Sequence, residues 1–185
     1  MRITHPASPE MNALCNRLRA MEPELRTSGV WPGAQLEVLG QAGVFDWFIP
    51  RELGGQGWSE SWIQQGYVEL ADACLSTAFV LTQRAAATRR LCLSDQSVVQ
   101  QRWLPRDRRG EIYLTIGVSQ ITTSGLHHRR PPMRAEMTDG GWILDGVAPW
   151  VTGASQADLF VIGAVLGDGR SIQVLDPATA ERLEV

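Results

Sequence analysis

Up to about residue 109 the apolar positions of this chain recur at helical spacing; beyond Gly110 they recur at every second residue. Ser8 is placed to cap a first helix, with Pro9 at its first position and Glu10 favoured by the helix dipole. Met11, Leu14, Leu18 and Met21 then share one face, and Pro23 is expected to end or bend the helix. A short second helix is predicted over residues 34–42, with Leu36 and Leu39 inward. The Pro- and Gly-rich segment 48–58 must turn the chain. Ser59 can cap a third helix whose apolar side holds Trp62, Ile63, Gly66, Leu70 and Cys74. An Ala-rich fourth helix follows over residues 76–91. A fifth is expected to be capped by Asp95, to carry Val98, Val99 and Trp103, and to stop at Pro105.

The second half reads as strands. Residues 112–118 form an apolar, β-branched run, and Met133, Ala135 and Met137 alternate with Arg134 and Glu136. Asp-Gly pairs at 139–140, 145–146 and 168–169 lie between extended runs, the pattern of type I′ hairpins. The expected fold class is therefore α+β: an all-helical domain over residues 1–110, then an antiparallel meander over 111–185 that forms a partial barrel or sandwich.

Composition narrows the function classes. A net charge of −3 argues against a general nucleic-acid binder, although Arg102, Arg106, Arg108 and Arg109 cluster locally. The three cysteines, Cys15, Cys74 and Cys92, are widely spaced and fit reduced thiols in a cytoplasmic protein. The N-terminus lacks the apolar core of a signal peptide, and the run 159–166 is too short to span a bilayer, so no membrane association is expected.

The usual phosphate-loop, zinc-protease and nucleophile-elbow motifs are missing. Gly54, Gly55 and Gly57 are a fragment of a glycine-rich loop and read more simply as a turn into the Ser59 helix. The adjacent His127 and His128 would face opposite ways on a strand, which disfavours a metal site; no metal is expected. Arg129 and Arg130 could meet a phosphate or simply be solvated. More suggestive is the hydroxyl-dense stretch Ser119, Gln120, Ile121, Thr122, Thr123, Ser124, which follows the apolar strand ending near Val118. Such a loop can aim hydroxyls and backbone N–H groups at one ligand, or be an ordinary hydrogen-bonded turn. If residues 150–152 are extended, Trp150 and Thr152 share a face, where an aromatic plate beside a hydroxyl suits a planar heteroaromatic ligand.

The order of these segments resembles the acyl-CoA dehydrogenase superfamily. The passage LGQAGVFDWFIPRELGGQGWS, the helix pair in ELADACLSTAFVL and the link WLPRDRRGE are similar to the family's helical domain and its passage into the β-domain. The family's Thr-Glu-Pro-Gly-Ala-Gly-Ser-Asp loop corresponds to SQITTSG, with Ser119 for the Thr, Gln120 for the Glu and Ser124 for the Ser; its glycines are replaced by Ile121, Thr122 and Thr123. Trp150, Val151 and Thr152 resemble the family's Trp-Ile-Thr.

The resemblance implies an FAD cofactor contacted by Val118, Ser119, Gln120, Ser124, Trp150, Val151 and Thr152, with Trp150 beside the isoalloxazine ring and Thr152 bonding near its N5. It implies α,β-dehydrogenation of an acyl-CoA or related thioester. It also implies a homo-oligomer, or pairing with a helical partner. The family's catalytic Glu lies in a C-terminal helical bundle that is absent from these residues, so no catalytic residue is nominated. A non-catalytic flavin- or thioester-binding module, or a partner subunit of a full-length relative, is the alternative. An unfinished sheet would expose an edge, and the isolated chain is expected to associate.

Overall fold

The computed structural model describes residues 2–122 and 132–179. The chain divides into two compact units, Met1–Ile112 and Tyr113–Val185.

The first unit is helical: α1 (Pro9–Ser28), α2 (Gly33–Gln41), α3 (Glu60–Ala73), α4 (Leu75–Cys92) and α5 (Ser97–Arg108), with 3₁₀ turns at Val44–Phe48 and Arg51–Leu53. The predicted caps of α1 and α3 are present, since Ser8 Oγ accepts from the Met11 N–H and Ser59 Oγ from the Trp62 N–H. Neither interior proline stops its helix. Helix α1 continues through Pro23 to Ser28, buries Leu25 and ends at Gly29 in the left-handed region; α5 continues through Pro105 to Arg108. Pro105 removes one N–H from α5, whose Leu104 packs into the core and whose Asp107 is paired with Arg84. Asp95 does not cap α5: Gln96 holds that position without a side-chain bond, while Gln100 Nε2 donates to the carbonyls of Cys92 and Ser94. Trp62, expected inward, is 38% exposed and packs edge-on against Trp58.

Trp47 fixes the packing of α3. It is stacked on Trp58 at 4.0 Å between ring centroids, and a Cβ on Gly66 would stand 2.7 Å from its Cζ3. The glycine thus lets α3 close on an indole that has no room to retreat. Gly66→Ala is expected to destabilise the chain by about 1–3 kcal/mol despite alanine's better helix propensity, read as a lower urea midpoint; a neutral or raised midpoint would show that the indole yields.

The deepest polar feature of this unit is a buried pair. Arg84 on α4 and Asp107 on α5 are 3% and 0% exposed and meet at 2.5 Å. Arg84 also donates to the Ile112 and Asp107 carbonyls and stacks on Phe45, while the Thr88 hydroxyl donates to Asp107 Oδ2 at 2.7 Å. Burial pushes the Asp107 carboxyl above its ordinary value, with Arg84 and Thr88 pulling against it. Asp46 forms a second junction, bridged by Arg2 and by Arg108.

The second unit is a sheet of β1 (Leu114–Gly117), β2 (Met133–Thr138), β3 (Gly141–Gly146), β4 (Leu159–Val165) and β5 (Ser171–Pro177), in the order β1-β4-β2-β3 with β5 also paired to β4. The α+β class is observed, but the sheet is mixed rather than an antiparallel meander, and it is not closed. Strand β1 runs parallel to β4, Leu114 opposite Leu159 through Gly117 opposite Ile162, and β2 meets β4 in parallel at Arg134 and Val165. Two Asp-Gly pairs do close hairpins: 139–140 between β2 and β3, and 168–169 between β4 and β5. Neither is type I′, because no aspartate takes positive φ; Gly141 (+126°) and Gly169 (+86°) carry the reversal instead. The third pair, Asp145-Gly146, lies inside β3 opposite Arg134 and Met133. Gly146 is required there by close approach, since a Cβ would fall 2.1 Å from the Pro132 carbonyl oxygen.

Candidate functional site

The predicted site residues that can be placed all lie in the second unit, around the C-terminal end of β1 and the connection from β3 to β4. Ser124 lies outside the described residues, as do His127, His128, Arg129 and Arg130. Val118 and Ser119 follow β1 and are half-buried. The hydroxyl-dense stretch opens not as a loop but as one helical turn, Ser119–Thr122, in which the Ile121 N–H bonds to the Val118 carbonyl.

That turn directs Gln120 inward. The side chain is 2% exposed, and its Nε2 donates to the carbonyls of Gly117 at 2.9 Å and Gly163 at 2.7 Å. Its amide therefore joins the turn to β4, with Oε1 buried and unpartnered among the described residues. A carboxylate could not make those two donations. The Gln that departs from the family's Glu thus suits this local packing. Gly163 on β4 leaves the room, for its Cβ would meet Ile121 Cδ1 at 2.5 Å.

Trp150, Val151 and Thr152 are not on a strand. They belong to the loop between β3 and a 3₁₀ turn at Ala154–Gln156, so strand alternation does not give Trp150 and Thr152 a shared face. Trp150 has φ of +63°, the one described non-glycine residue at positive φ, and is 88% exposed. An L-residue held left-handed is strained by roughly 1–2 kcal/mol, and a large indole gains nothing from water. The loop is fastened on either side of Trp150. The Thr152 carbonyl accepts the Thr115 hydroxyl at 2.7 Å and the Tyr113 hydroxyl at 3.2 Å, and the Pro149 carbonyl accepts the Ser119 hydroxyl at 2.9 Å. Val151 packs on Gly117, where a Cβ would stand 2.9 Å from its Cγ2. The Thr152 hydroxyl itself makes no hydrogen bond among the described residues and is half-buried. The arrangement is an exposed indole two residues before a hydroxyl that is unengaged among the described residues, on a loop held through its own carbonyls.

Tyr113 and Thr115 join the site without having been singled out by sequence. A hydroxyl at 115 amid the apolar run 112–118 is the available signal, and its partner's distance along the chain conceals it. No group of three or more potential metal ligands occurs among the described residues, and no described helix is long and apolar enough to cross a membrane. Cys15 and Cys74 are buried and Cys92 half-buried; burial raises the Cys15 thiol and pushes Cys92 up to about 12, which makes both weak nucleophiles at neutral pH. A cleft of about 500 Å³ in the helical unit, floored by Trp47, Trp58 and Ile63, contains none of the predicted site residues. Its rim is tied up by the Arg89–Glu60 ion pair and by Arg51 donating to the Gln56 carbonyl, so the loop at Trp150 remains the better candidate.

No protein-family model matches the chain. It is 26% identical over 163 residues to benzylmalonyl-CoA dehydrogenase of Aromatoleum aromaticum, an alignment covering 85% of this chain and 42% of that protein. Among solved structures it is similar to FMN-bound TdsC, a dibenzothiophene monooxygenase of Paenibacillus sp. A11-2, with a TM-score of 0.75 and 21% identity over 93% of this chain and 44% of that one. The FAD complex of an acyl-CoA dehydrogenase from Bacillus anthracis also gives a TM-score of 0.75, with 16% identity over 94% of this chain and 32% of that one. The chain thus spans less than half the length of these relatives. Over more than nine-tenths of this chain, the helical unit followed by an open mixed sheet is a fold shared with these solved structures, acyl-CoA dehydrogenases among them.

Proposed function

We propose that the loop bearing Trp150 is one wall of a flavin site, and that this chain is the flavin-holding portion of an acyl-CoA dehydrogenase-type oxidoreductase. The main support is Trp150 itself, an indole 88% exposed and held at φ +63°, a strained and solvent-facing pose that a purely structural residue has no reason to keep. Its free face can stack on a planar tricycle and shield it from water. The Thr152 hydroxyl, unengaged among the described residues, can donate to a ring nitrogen. The side chains of Ser119 and Gln120 bond to protein carbonyls, so in this reading their contact with the flavin comes mainly through backbone groups of that turn.

A bound flavin would supply the two-electron acceptor for α,β-dehydrogenation of an acyl thioester. This chain's residues would hold and orient it; no group of the chain is assigned the removal of the α-proton. The 26% identity to benzylmalonyl-CoA dehydrogenase favours an acyl-CoA substrate. A cytoplasmic location, self-association and a helical partner belong to the same proposal. The likeness to FMN-bound TdsC supports a second reading, an FMN-dependent oxygenase portion on the same fold.

Titration of the purified chain with FAD and with FMN separates these readings. A saturable change in FAD fluorescence on binding to the chain, with affinity weakened by Thr152→Val, is the expected result. A preference for FMN would favour the oxygenase reading, and no binding of either would reject both.

A further inference from the structure

We propose that Tyr113, Thr115 and Ser119 form a hydroxyl clamp that sets the pose of Trp150; they are positioning residues for the loop. The inference rests on the flavin reading only for its functional meaning, because the clamp is a property of the protein alone.

Trp150 and Val151 lie between two carbonyls, Pro149 and Thr152, and both are held from the same strand and the turn that follows it. Thr115, fully buried on β1, donates to the Thr152 oxygen at 2.7 Å, and the Tyr113 hydroxyl reaches the same oxygen at 3.2 Å. Ser119 donates to the Pro149 oxygen at 2.9 Å. Val151 settles against Gly117 in the space a Cβ would take. With both flanking carbonyls fixed and Val151 seated, the backbone between them makes its change of direction at Trp150, and left-handed φ results. The clamp has its own foundation: the Tyr113 N–H bonds to Asp158 Oδ2 at 2.8 Å and the Asp158 N–H returns to the Tyr113 carbonyl at 2.9 Å. The loop's end and the start of β4 are thereby tied to the strand that holds its middle. Hydroxyl donors to carbonyls serve this better than apolar packing would, since they fix direction as well as distance.

The loop can be followed without any flavin. Chymotrypsin cleaves after exposed tryptophan at a rate set by how often the local chain opens, and Trp142 on β3 provides an internal reference. Thr115→Val removes one donor at nearly constant volume and is expected to raise cleavage after Trp150 roughly fivefold to tenfold, the effect of one hydrogen bond. Cleavage after Trp142 should hold steady, and Thr115→Ser should restore the slow rate. Ser119→Ala, at a half-buried position, gives the same test should the buried substitution disturb folding. Equal acceleration at both tryptophans would assign the hydroxyls a general structural role and overturn the clamp; no acceleration at either would overturn it as well. FAD affinity is measured on the same variants. If the unsubstituted chain binds no flavin, the flavin reading fails while the cleavage result still decides the clamp. If it binds, Thr115→Val should weaken binding severalfold and Thr115→Ser should not.

Discussion

Asp107→Asn is expected to destabilise the chain by about 3–5 kcal/mol, a larger loss than Gly66→Ala should bring. The reason lies in what remains behind. Arg84 is 3% exposed, stacked on Phe45 and surrounded by α4 and α5, and Asp107 supplies a negative charge at its guanidinium, 2.5 Å away. Asparagine keeps the shape but strips a buried cation of that counter-charge, and the amide turns a donor toward either Arg84 or Thr88. The pair also anchors the segment that leaves the helical unit, since Arg84 donates to the carbonyls of Asp107 and Ile112. Urea denaturation of the full chain measures the loss. Replacing both partners by apolar residues of similar size, Arg84→Met with Asp107→Leu, should recover a large part of it, because no charge is then stranded. A cost below about 1 kcal/mol for Asp107→Asn alone would mean that water or another group reaches the guanidinium.

Trp150→Gly should separate folding from binding, with opposite signs. Glycine accepts φ of +63° without strain, which relieves about 1–2 kcal/mol, and its greater freedom when unfolded returns up to about 1 kcal/mol. Little is lost in packing, because the indole is 88% exposed. Folding stability should therefore be unchanged or higher by up to about 2 kcal/mol. FAD affinity, under the proposed function, should fall about thirtyfold, equivalent to roughly 2 kcal/mol of lost stacking and apolar contact. Trp150→Ala is the control, since it loses the same contact but keeps the strain. A clear loss of stability in the glycine variant would make Trp150 a structural residue and remove the main support for the flavin wall.

The features legible in the amino-acid sequence are those that act locally. The caps at Ser8 and Ser59 can be read because a hydroxyl reaches an N–H only three residues away. The hairpins at 139–140 and 168–169 can be read because the reversal involves adjacent residues, although no aspartate takes positive φ and in the first pair Gly140 does not either. The change of apolar spacing after Gly110 marks the passage from helices to strands. Pro23 and Pro105 mislead for the same local reason: each breaks a rule of the isolated helix, and only the side chains buried around them show why the rule is overruled.

The site divides along the same line. Trp150 and Thr152 can be chosen from sequence through the family's motif, but they do not share a strand face, and Gln120 gives no sign that its amide is drawn inside. Sequence alone determined the α+β class and the helix starts at Ser8 and Ser59, because propensity and capping depend on near neighbours. Tertiary structure alone decided that β1 runs parallel to β4, that Arg84 finds Asp107, and that Thr115 reaches across 37 residues to the Thr152 carbonyl and helps hold Trp150 left-handed. Those outcomes depend on which distant groups become neighbours once apolar surface is buried, and a buried hydroxyl or charge then has few partners left to choose from.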